Sequence, residues 1–246
     1  MTASFGVDIG GTGIKAAPVD LTEGRLTAER VRVKTPKPAT PDAVAEVVAE
    51  LVAGFGWQGA VGCTFPGVVK AGHAMTAANV DKRWIGVNAD ALFTKRLDLD
   101  VHLLNDADAA GLAEVRYGAA RGRTGVVFML TIGTGLGSGL FVDGLLVPNT
   151  ELGHIELDGQ DAEDLAAEST RIEQKLSWKH WAARLDDYLA RIEAYLNPDL
   201  IILGGGGAKK ADKFVPLLRR HTEIVTAALG NAAGIVGAAM AAAANP

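Results

Sequence analysis

A glycine-rich turn between two apolar segments occurs twice in this chain, and the repeat constrains the fold more than any other feature. Residues 8–20 read DIGGTGIKAAPVD, and residues 131–143, which lie 123 positions later, read TIGTGLGSGLFVD. Glycine allows positive φ and close approach of a ligand to the main chain. Successive exposed N–H groups in such a turn form a concave site for anions. The repeat therefore predicts two similar halves, each with a hairpin that binds phosphate.

Two other interpretations of the repeat compete with phosphate binding. The turns could be ordinary tight hairpins, because short glycine motifs often match by chance. A dinucleotide-binding loop would open a helix, whereas residues 140–147 read LFVDGLLV and predict another strand. The paired occurrence favours phosphate binding over both.

The composition argues against several classes of function. The 246 residues are 48% hydrophobic and 22% charged, with a net charge of −5, whereas proteins that bind nucleic acid usually carry a basic surface. The single cysteine, Cys63, predicts a buried strand residue, with a reactive thiol as the alternative. Residues 224–246 are mostly Ala and Gly, which predicts a buried helix rather than a membrane span. Because the N-terminus has no secretory pattern, we expect a cytoplasmic protein that binds no membrane.

The hydrophobic periodicity predicts an α/β fold with two lobes, residues 1–115 and 116–246, and a cleft between them. The terminal helix could pack back on the first lobe. The predicted strands cover 4–9, 14–19, 26–34, 59–65, 101–105, 126–132, 139–147 and 199–207. The predicted helices cover 42–55, 89–97, 107–118, 161–176, 178–196 and 231–244.

A group of polar residues, Asn105-Asp106-Ala107-Asp108, follows the predicted strand 101–105. Ligands of open α/β sheets bind at the carboxyl ends of strands, so Asp106 could take a proton from a substrate hydroxyl as a general base. The alternative is a structural role, because Asp106 or Asp108 could cap the following helix. Both roles are compatible if Asp108 caps the helix and Asp106 faces the substrate.

Three further side chains could contact a ligand that carries many hydroxyl groups. Glu151 and His154 follow the second glycine turn, and Asn79 follows a Pro-Gly turn. Carboxylate, imidazole and amide groups together supply the donors and acceptors that sugar hydroxyls need. A structural or surface role is the alternative for His154. A zinc site is disfavoured because no cysteine follows His154 at ligand spacing.

Seven segments, taken in order, resemble the ROK family of sugar kinases: DIGGTGIK (8–15), PG (66–67), the Asn79 segment, NDADAAG (105–111), TIGTGLGSG (131–139), ELGHIE (151–156) and LGGGG (203–207). The resemblance implies the two-lobed α/β fold of actin-like ATPases (ribonuclease H-like, as in hexokinase, actin and Hsp70), with an internal structural duplication. Within the family, residues 79–86 and 151–164 are most similar to glucokinases that use inorganic polyphosphate.

The resemblance implies phosphoryl transfer from polyphosphate, and in some members ATP, to the 6-hydroxyl of glucose, giving glucose 6-phosphate. Asp106 would be the catalytic base. The glucose-binding residues would be Gly67, Asn79, Asn105, Asp106, Glu151, His154 and Glu163, with Glu168 as the alternative to Glu163. The phosphate-binding residues would be Asp8, Gly10, Gly11, Thr12, Gly13, Lys15, Thr131, Gly133, Thr134, Gly135 and Gly137. The nucleotide or polyphosphate would contact Gly204, Gly205, Gly206, Lys82, Arg83 and Lys209.

The same resemblance implies Mg²⁺ with the phosphate donor, no zinc, and a homodimer. Asp8 would orient the ion through water, and a turn-capping role is the alternative for this carboxylate. Further cations that could follow a polyphosphate chain are Arg121, Arg123 and Lys210. The loop GGGGAKK (204–210) departs from the family pattern at Gly207 and Ala208, which leaves its role open.

Two other functions remain open at this point. One is an ATP-dependent sugar kinase of the same fold. The other is a sugar-sensing protein without transferase activity, which would have no need to retain the Asn105-Asp106 pair. Glucose and mannose differ at one hydroxyl, and both could fit.

Overall fold

The computed structural model describes residues 3–244. The outermost residues of the two predicted lobes lie outside the described residues: Met1, Thr2, Asn245 and Pro246. The chain divides into two compact units, the first running to Ala113 and resuming at Ala232, and the second spanning Glu114–Asn231. The second unit is thus inserted into the first. The predicted lobes, 1–115 and 116–246, differ from these units because the terminal helix joins the first unit.

The elements are numbered in chain order. The strands are β1 Ala3–Ile9, β2 Ile14–Asp20, β3 Arg25–Leu26, β4 Val31–Val33, β5 Val61–Phe65, β6 Val69–Lys70, β7 His73–Ala74, β8 Val101–Asn105, β9 Val126–Ile132, β10 Leu136–Val142, β11 Leu145–Val147, β12 Glu156–Leu157, β13 Gln160–Asp161, β14 Leu200–Gly204 and β15 Glu223–Thr226. The α-helices are α1 Pro41–Gly54, α2 Ala89–Leu97, α3 Asp106–Tyr117, α4 Ala162–Ala166, α5 Glu168–Glu173, α6 Trp178–Leu196, α7 Ala211–Phe214 and α8 Ala233–Ala244.

The first unit is built on a sheet of order β3-β2-β1-β5-β8, with β4 also paired to β2. β1 runs antiparallel to β2 and parallel to β5, and β5 runs parallel to β8. Helix α8 packs directly on β1 and β5. Gly6 and Gly62 make this approach possible, because a methyl group at either position would overlap the backbone carbonyl of Ile235 or Ala238. Within the Ala- and Gly-rich segment, α8 is therefore a buried helix, as predicted, whereas residues 224–226 belong to β15.

The second unit repeats this arrangement with the order β11-β10-β9-β14-β15. β9 runs antiparallel to β10 and parallel to β14, which runs parallel to β15. The two glycine turns differ in length, because β1 and β2 close on the pair Ile9–Ile14 whereas β9 and β10 close on the pair Ile132–Leu136. The sequence offset between the halves is therefore one residue shorter after the turn than before it.

Three predicted elements are corrected by the structure. The strand predicted at 26–34 is two strands, β3 and β4, because the polar residues between them form a turn. The strand predicted at 139–147 begins earlier, at Leu136, and splits at Asp143-Gly144, which have φ of 49° and 81°. A left-handed Asp-Gly pair is the preferred two-residue hairpin turn.

The helix predicted at 161–176 is also two helices, α4 and α5. Ala167 between them is extended, with ψ of 154°. The indole Nε1 of Trp181 donates to the carbonyls of Ala166 and Ala167, at 3.0 and 3.1 Å. This long-range bond stabilises the break, and local periodicity carries no sign of it.

Two sequence predictions concern burial. Cys63 is fully buried in β5, as predicted, and burial raises the pKa of its thiol. Within residues 3–244, no helix combines the length and the apolar character that crossing a membrane requires.

Candidate active site

The first glycine turn is closed by a hydrogen bond from Gly10 N to Gly13 O, at 3.1 Å. Asp8 lies just before it, near the end of β1. Lys15 Nζ donates to Asp8 Oδ2 at 2.7 Å, and Thr64 Oγ1 donates to Asp8 Oδ1 at 3.1 Å. The carboxylate thus accepts hydrogen bonds from side chains of neighbouring strands, and these contacts fix its orientation beside the turn.

Two other segments of the first unit lie against this turn. A methyl group at Gly11 would come within 2.9 Å of Asn79, whose φ of 57° is a left-handed conformation that asparagine tolerates. The guanidinium of Arg32 lies beside Gly13 and donates to Thr12 O at 3.3 Å. Arg32 was not predicted from the sequence as a site residue; its only sequence signal is a cation in a strand that could pair with β2.

Asn105 and Asp106 lie where β8 ends and α3 begins. Asn105 Oδ1 accepts from the backbone N–H groups of Ala107 and Asp108, at 2.8 and 3.0 Å, and its amide donates to Gly67 O at 3.2 Å. Asn105 therefore caps the helix, which corrects the expectation that Asp106 or Asp108 would do so. Asp108, in the first turn of the same helix, is buried.

Asp106 is the first residue of α3 and is partly exposed. Its Oδ1 accepts from Ala107 N at 2.9 Å. The positive end of the helix dipole lies at this carboxylate. An ionised carboxylate has about four lone-pair sites, so Asp106 can accept further hydrogen bonds besides the one from Ala107 N.

The second glycine turn is closed by a hydrogen bond from Gly133 N to Gly135 O, at 3.0 Å. Ser169 Oγ donates to Thr134 O at 2.7 Å, which ties α5 to the turn. Thr131 and Gly137, which were also predicted to bind phosphate, lie opposite one another in β9 and β10, next to this turn. The turn itself is therefore Gly133–Gly135, because the strand pairing already begins at Leu136.

Four ionisable side chains are brought together next to the second turn. Glu163 Oε2 accepts from Leu136 N at 2.8 Å. His154 Nδ1 lies 2.9 Å from Asp161 Oδ2, and His154 Nε2 lies 3.9 Å from Glu151 Oε2. Asp161 also caps α4 by accepting from Glu163 N at 2.8 Å. Glu151, His154 and Glu163 were predicted from the sequence as site residues, whereas Asp161, which contacts both His154 and Glu163, was not.

The electrostatics of this cluster follow from its three carboxylates. Burial raises the pKa of Glu151, the charge of Glu163 raises it further, and the imidazolium of His154 opposes both effects. Burial by itself lowers the pKa of His154, but the hydrogen bond and charge of Asp161, together with Glu163 and Glu151, outweigh it and raise the pKa. His154 therefore keeps its proton to a higher pH than a free imidazole.

The glycine loop after β14 lies against the second turn. Gly205 has φ of 78°, and a methyl group there would collide with the backbone of Ile132. A methyl group at Gly207 would come within 2.9 Å of the Ile132 side chain, so this part of the loop also packs closely against the end of β9. Glu168 faces this loop, with an oxygen 3.7 Å from a methyl group built at Gly206. Of the two alternatives, Glu163 is therefore the one that joins Glu151 and His154.

Several predicted cations already have partners. Arg83 pairs with Asp81 at 2.9 Å, and its hydrogen bonds lower the pKa of Asp81 to about 2. Lys82 Nζ donates to Ala77 O at 2.6 Å, and Arg123 pairs with Glu223 at 2.9 Å. Lys209 and Lys210 are exposed in the 3₁₀ turn that follows the glycine loop. Among the described residues, no three His, Cys, Asp or Glu side chains are grouped to hold a metal ion.

Comparisons with known proteins add a family context. The sequence profile of the ROK family matches residues 4–171. The chain is 52% identical over 242 residues to the polyphosphate glucokinase of Mycobacterium tuberculosis strain H37Rv, a match that covers 98% of this chain and 91% of that protein.

Solved structures show the same similarity. The inorganic polyphosphate/ATP-glucomannokinase of Arthrobacter sp. strain KM matches with a TM-score of 0.97 and 49% identity, over 100% of both chains. A ROK family glucokinase from Streptomyces griseus, in complex with glucose and AMPPNP, matches with a TM-score of 0.85 and 26% identity over 99% of this chain and 100% of that chain. These matches confirm the predicted fold class, the α/β fold of actin-like ATPases.

Proposed function

The chain belongs to the ROK family, and on that premise we propose that it transfers a phosphoryl group from inorganic polyphosphate, or from ATP, to the 6-hydroxyl of glucose. Sequence identities of 52% and 51% to polyphosphate glucokinases, over 98% of this chain, support this activity. The observation that carries the mechanism is Asp106, a partly exposed carboxylate at the end of β8 whose helix is capped by its neighbour Asn105.

In the proposed reaction, the 6-hydroxyl oxygen attacks the terminal phosphorus of the donor. A new O–P bond forms, and the bond from that phosphorus to the bridging oxygen breaks, leaving a shortened polyphosphate or ADP. The hydroxyl proton passes to Asp106. Such transfers depend on positioning and electrostatic stabilisation, which is why a fixed carboxylate suits the role of base.

The sugar would be held by side chains of fixed orientation. Asn105 is locked by three hydrogen bonds, one of them to Gly67 O, and Asn79 is held against Gly11. We propose that these residues bind the glucose near the reacting hydroxyl. We further propose that Glu151, His154 and Glu163 bind its other hydroxyls. Ionised partners make these hydrogen bonds about twice as strong as neutral ones.

The donor phosphates would bind the backbone N–H groups of the two glycine turns, the first of which is Gly10–Gly13. Mg²⁺ bound to these phosphates would neutralise charge on their oxygens. Asp8 fits a role toward this ion through water, because each of its oxygens accepts one hydrogen bond, from Lys15 or Thr64, and keeps acceptor capacity. Asp8 would then position the donor while Lys15 holds Asp8 in place.

Asp106→Asn tests the catalytic proposal. Asparagine keeps the oxygen that accepts from Ala107 N but cannot take the hydroxyl proton. Turnover should fall about 10²–10⁴-fold, while the Kd for glucose measured by calorimetry stays within a few fold. Asp98→Asn is the matched control, because Asp98 ends α2 with φ of 55°, which asparagine also adopts. Turnover of Asp106→Asn within tenfold of the parent would remove Asp106 from the mechanism.

The identity of donor and acceptor needs a separate measurement. The Arthrobacter relative is named for both donors and for two sugars, so mannose is a second candidate acceptor. Initial rates with glucose or mannose, each with polyphosphate or ATP, would rank the four reactions. A sugar sensor of this fold would show no turnover in any of them. The homodimer stays a prediction that sedimentation analysis can test.

A further inference from the structure

Arg32 occupies a distinctive position beside the first glycine turn. In the register of β2 and β4 it lies directly opposite Lys15, which in turn lies opposite Asp8 in β1. Directly paired residues of antiparallel strands project on the same face of a sheet. Asp8, Lys15 and Arg32 therefore form a row across three strands, at the end of the sheet where the turn lies.

This row carries a net positive charge at its outer end. Asp8 is neutralised by Lys15 at 2.7 Å. Arg32 is exposed and donates a hydrogen bond to the backbone carbonyl of Thr12. No carboxylate in residues 3–244 lies within ion-pairing distance of Arg32, in contrast to Arg83, which is paired with Asp81. Arg32 therefore presents a guanidinium to solvent beside the backbone that is proposed to hold phosphate.

We propose that Arg32 is a donor-specificity residue that binds phosphate units of polyphosphate beyond the three that ATP also carries. This inference rests on the proposed function. Polyphosphate carries a charge on every unit, so a long chain must find further cations once its end enters the turn. The planar guanidinium fork binds phosphate oxygens in pairs. ATP has no phosphate beyond its three, so it should depend less on this side chain.

The test is the pair of variants Arg32→Gln and Arg32→Lys, assayed with each donor at saturating glucose. Arg32→Gln should raise the KM for polyphosphate about tenfold or more, because hydrogen bonds to charged groups are lost. Its KM for ATP should change less than threefold, and kcat with either donor should stay within threefold. Arg32→Lys should recover part of the affinity for polyphosphate, since it keeps the charge but not the fork.

Arg25→Gln is the matched control. Arg25 is also exposed, but it lies in β3 opposite Asp20 of β2, at the end of β2 that is far from the turn. It should leave both KM values unchanged. A KM for polyphosphate in Arg32→Gln within twofold of the parent, or an equal rise for both donors, would overturn the proposal.

A binding measurement separates this inference from the proposed function. Turnover of the parent protein with polyphosphate tests the proposed activity. Calorimetric titration of polyphosphate into the parent and Arg32→Gln proteins, without sugar, tests Arg32 by itself. Weaker binding by the variant would support the inference whatever the turnover, and equal binding would contradict it.

Discussion

The hydrogen bond between His154 and Asp161 determines the charge of a side chain proposed to hold sugar. Burial disfavours the protonated imidazole, but the carboxylate of Asp161 at 2.9 Å, together with Glu163 and Glu151, favours it more strongly. The pKa of His154 is therefore raised. A histidine with a raised pKa contributes stability that is complete below the pKa of the unfolded chain. That contribution is lost as pH rises through the folded pKa. We therefore expect the contacts of His154 in this cluster to weaken as the pH rises through its folded pKa.

Asp161→Asn should lower the pKa of His154, because it removes the carboxylate charge. The asparagine oxygen can still accept from Glu163 N, so the cap of α4 is kept. NMR titration of the histidine rings would measure the change, with His154→Gln assigning the resonance. Asp158→Asn is the control, because Asp158 is a neighbouring but exposed carboxylate. An unchanged His154 titration in Asp161→Asn would show that Asp161 does not set this pKa.

At the scale of residues, the sequence was informative where chemistry follows the order of the chain. The position of Asp106 at the junction of β8 and α3 could be predicted, because it directly follows a buried strand. The positions of Arg32 and Asp161 could not, because their contacts are with partners on another strand or turn. The capping role of Asn105 was also misassigned, since Asn105, Asp106 and Asp108 are all of residue types that can cap a helix. Only the backbone geometry distinguishes them.

At the scale of elements, α8 makes close backbone contacts beside the fully buried side chains of Ile235 and Val236. Gly237 of α8 lies against the backbone of Ala109 in α3, and a methyl group there would overlap the carbonyl. Glycine in a helix normally costs stability relative to alanine. Here it is required, because alanine would push apart two helices that already touch. The elements themselves were largely predictable from periodicity, but this contact was not.

Gly237→Ala should therefore destabilise the protein, by about 1–3 kcal/mol, as expected for overpacking. Urea unfolding followed by circular dichroism would measure the change. Gly54→Ala is the matched control at the end of α1, where a methyl group would meet open space. It should leave stability unchanged or raise it slightly. Equal effects of the two substitutions would mean that the contact between α8 and α3 can accommodate a methyl group.

At the scale of the whole molecule, a net charge of −5 opposes the approach of a polyanion. Local cations must therefore capture polyphosphate, and salt screens exposed charges. The reaction with polyphosphate should lose kcat/KM with added KCl more steeply than the reaction with ATP, because a longer anion engages more cations. Rates at several KCl concentrations and fixed Mg²⁺ would give the two slopes. Comparable slopes would count against the binding of polyphosphate by a larger number of cations than ATP contacts.

The insertion of one unit into the other has a consequence for how the protein is made. The sheet of the first unit, whose strand β8 ends just before Asp106, is covered by α8, which the ribosome synthesises after the inserted segment. The inserted segment, Glu114–Asn231, is continuous and leaves the exit tunnel earlier. Since domains generally fold as units during translation, the inserted segment should mature first. Until α8 is synthesised, the N-terminal strands would expose the apolar face that α8 covers. We therefore expect nascent chains stalled before α8 to bind chaperones.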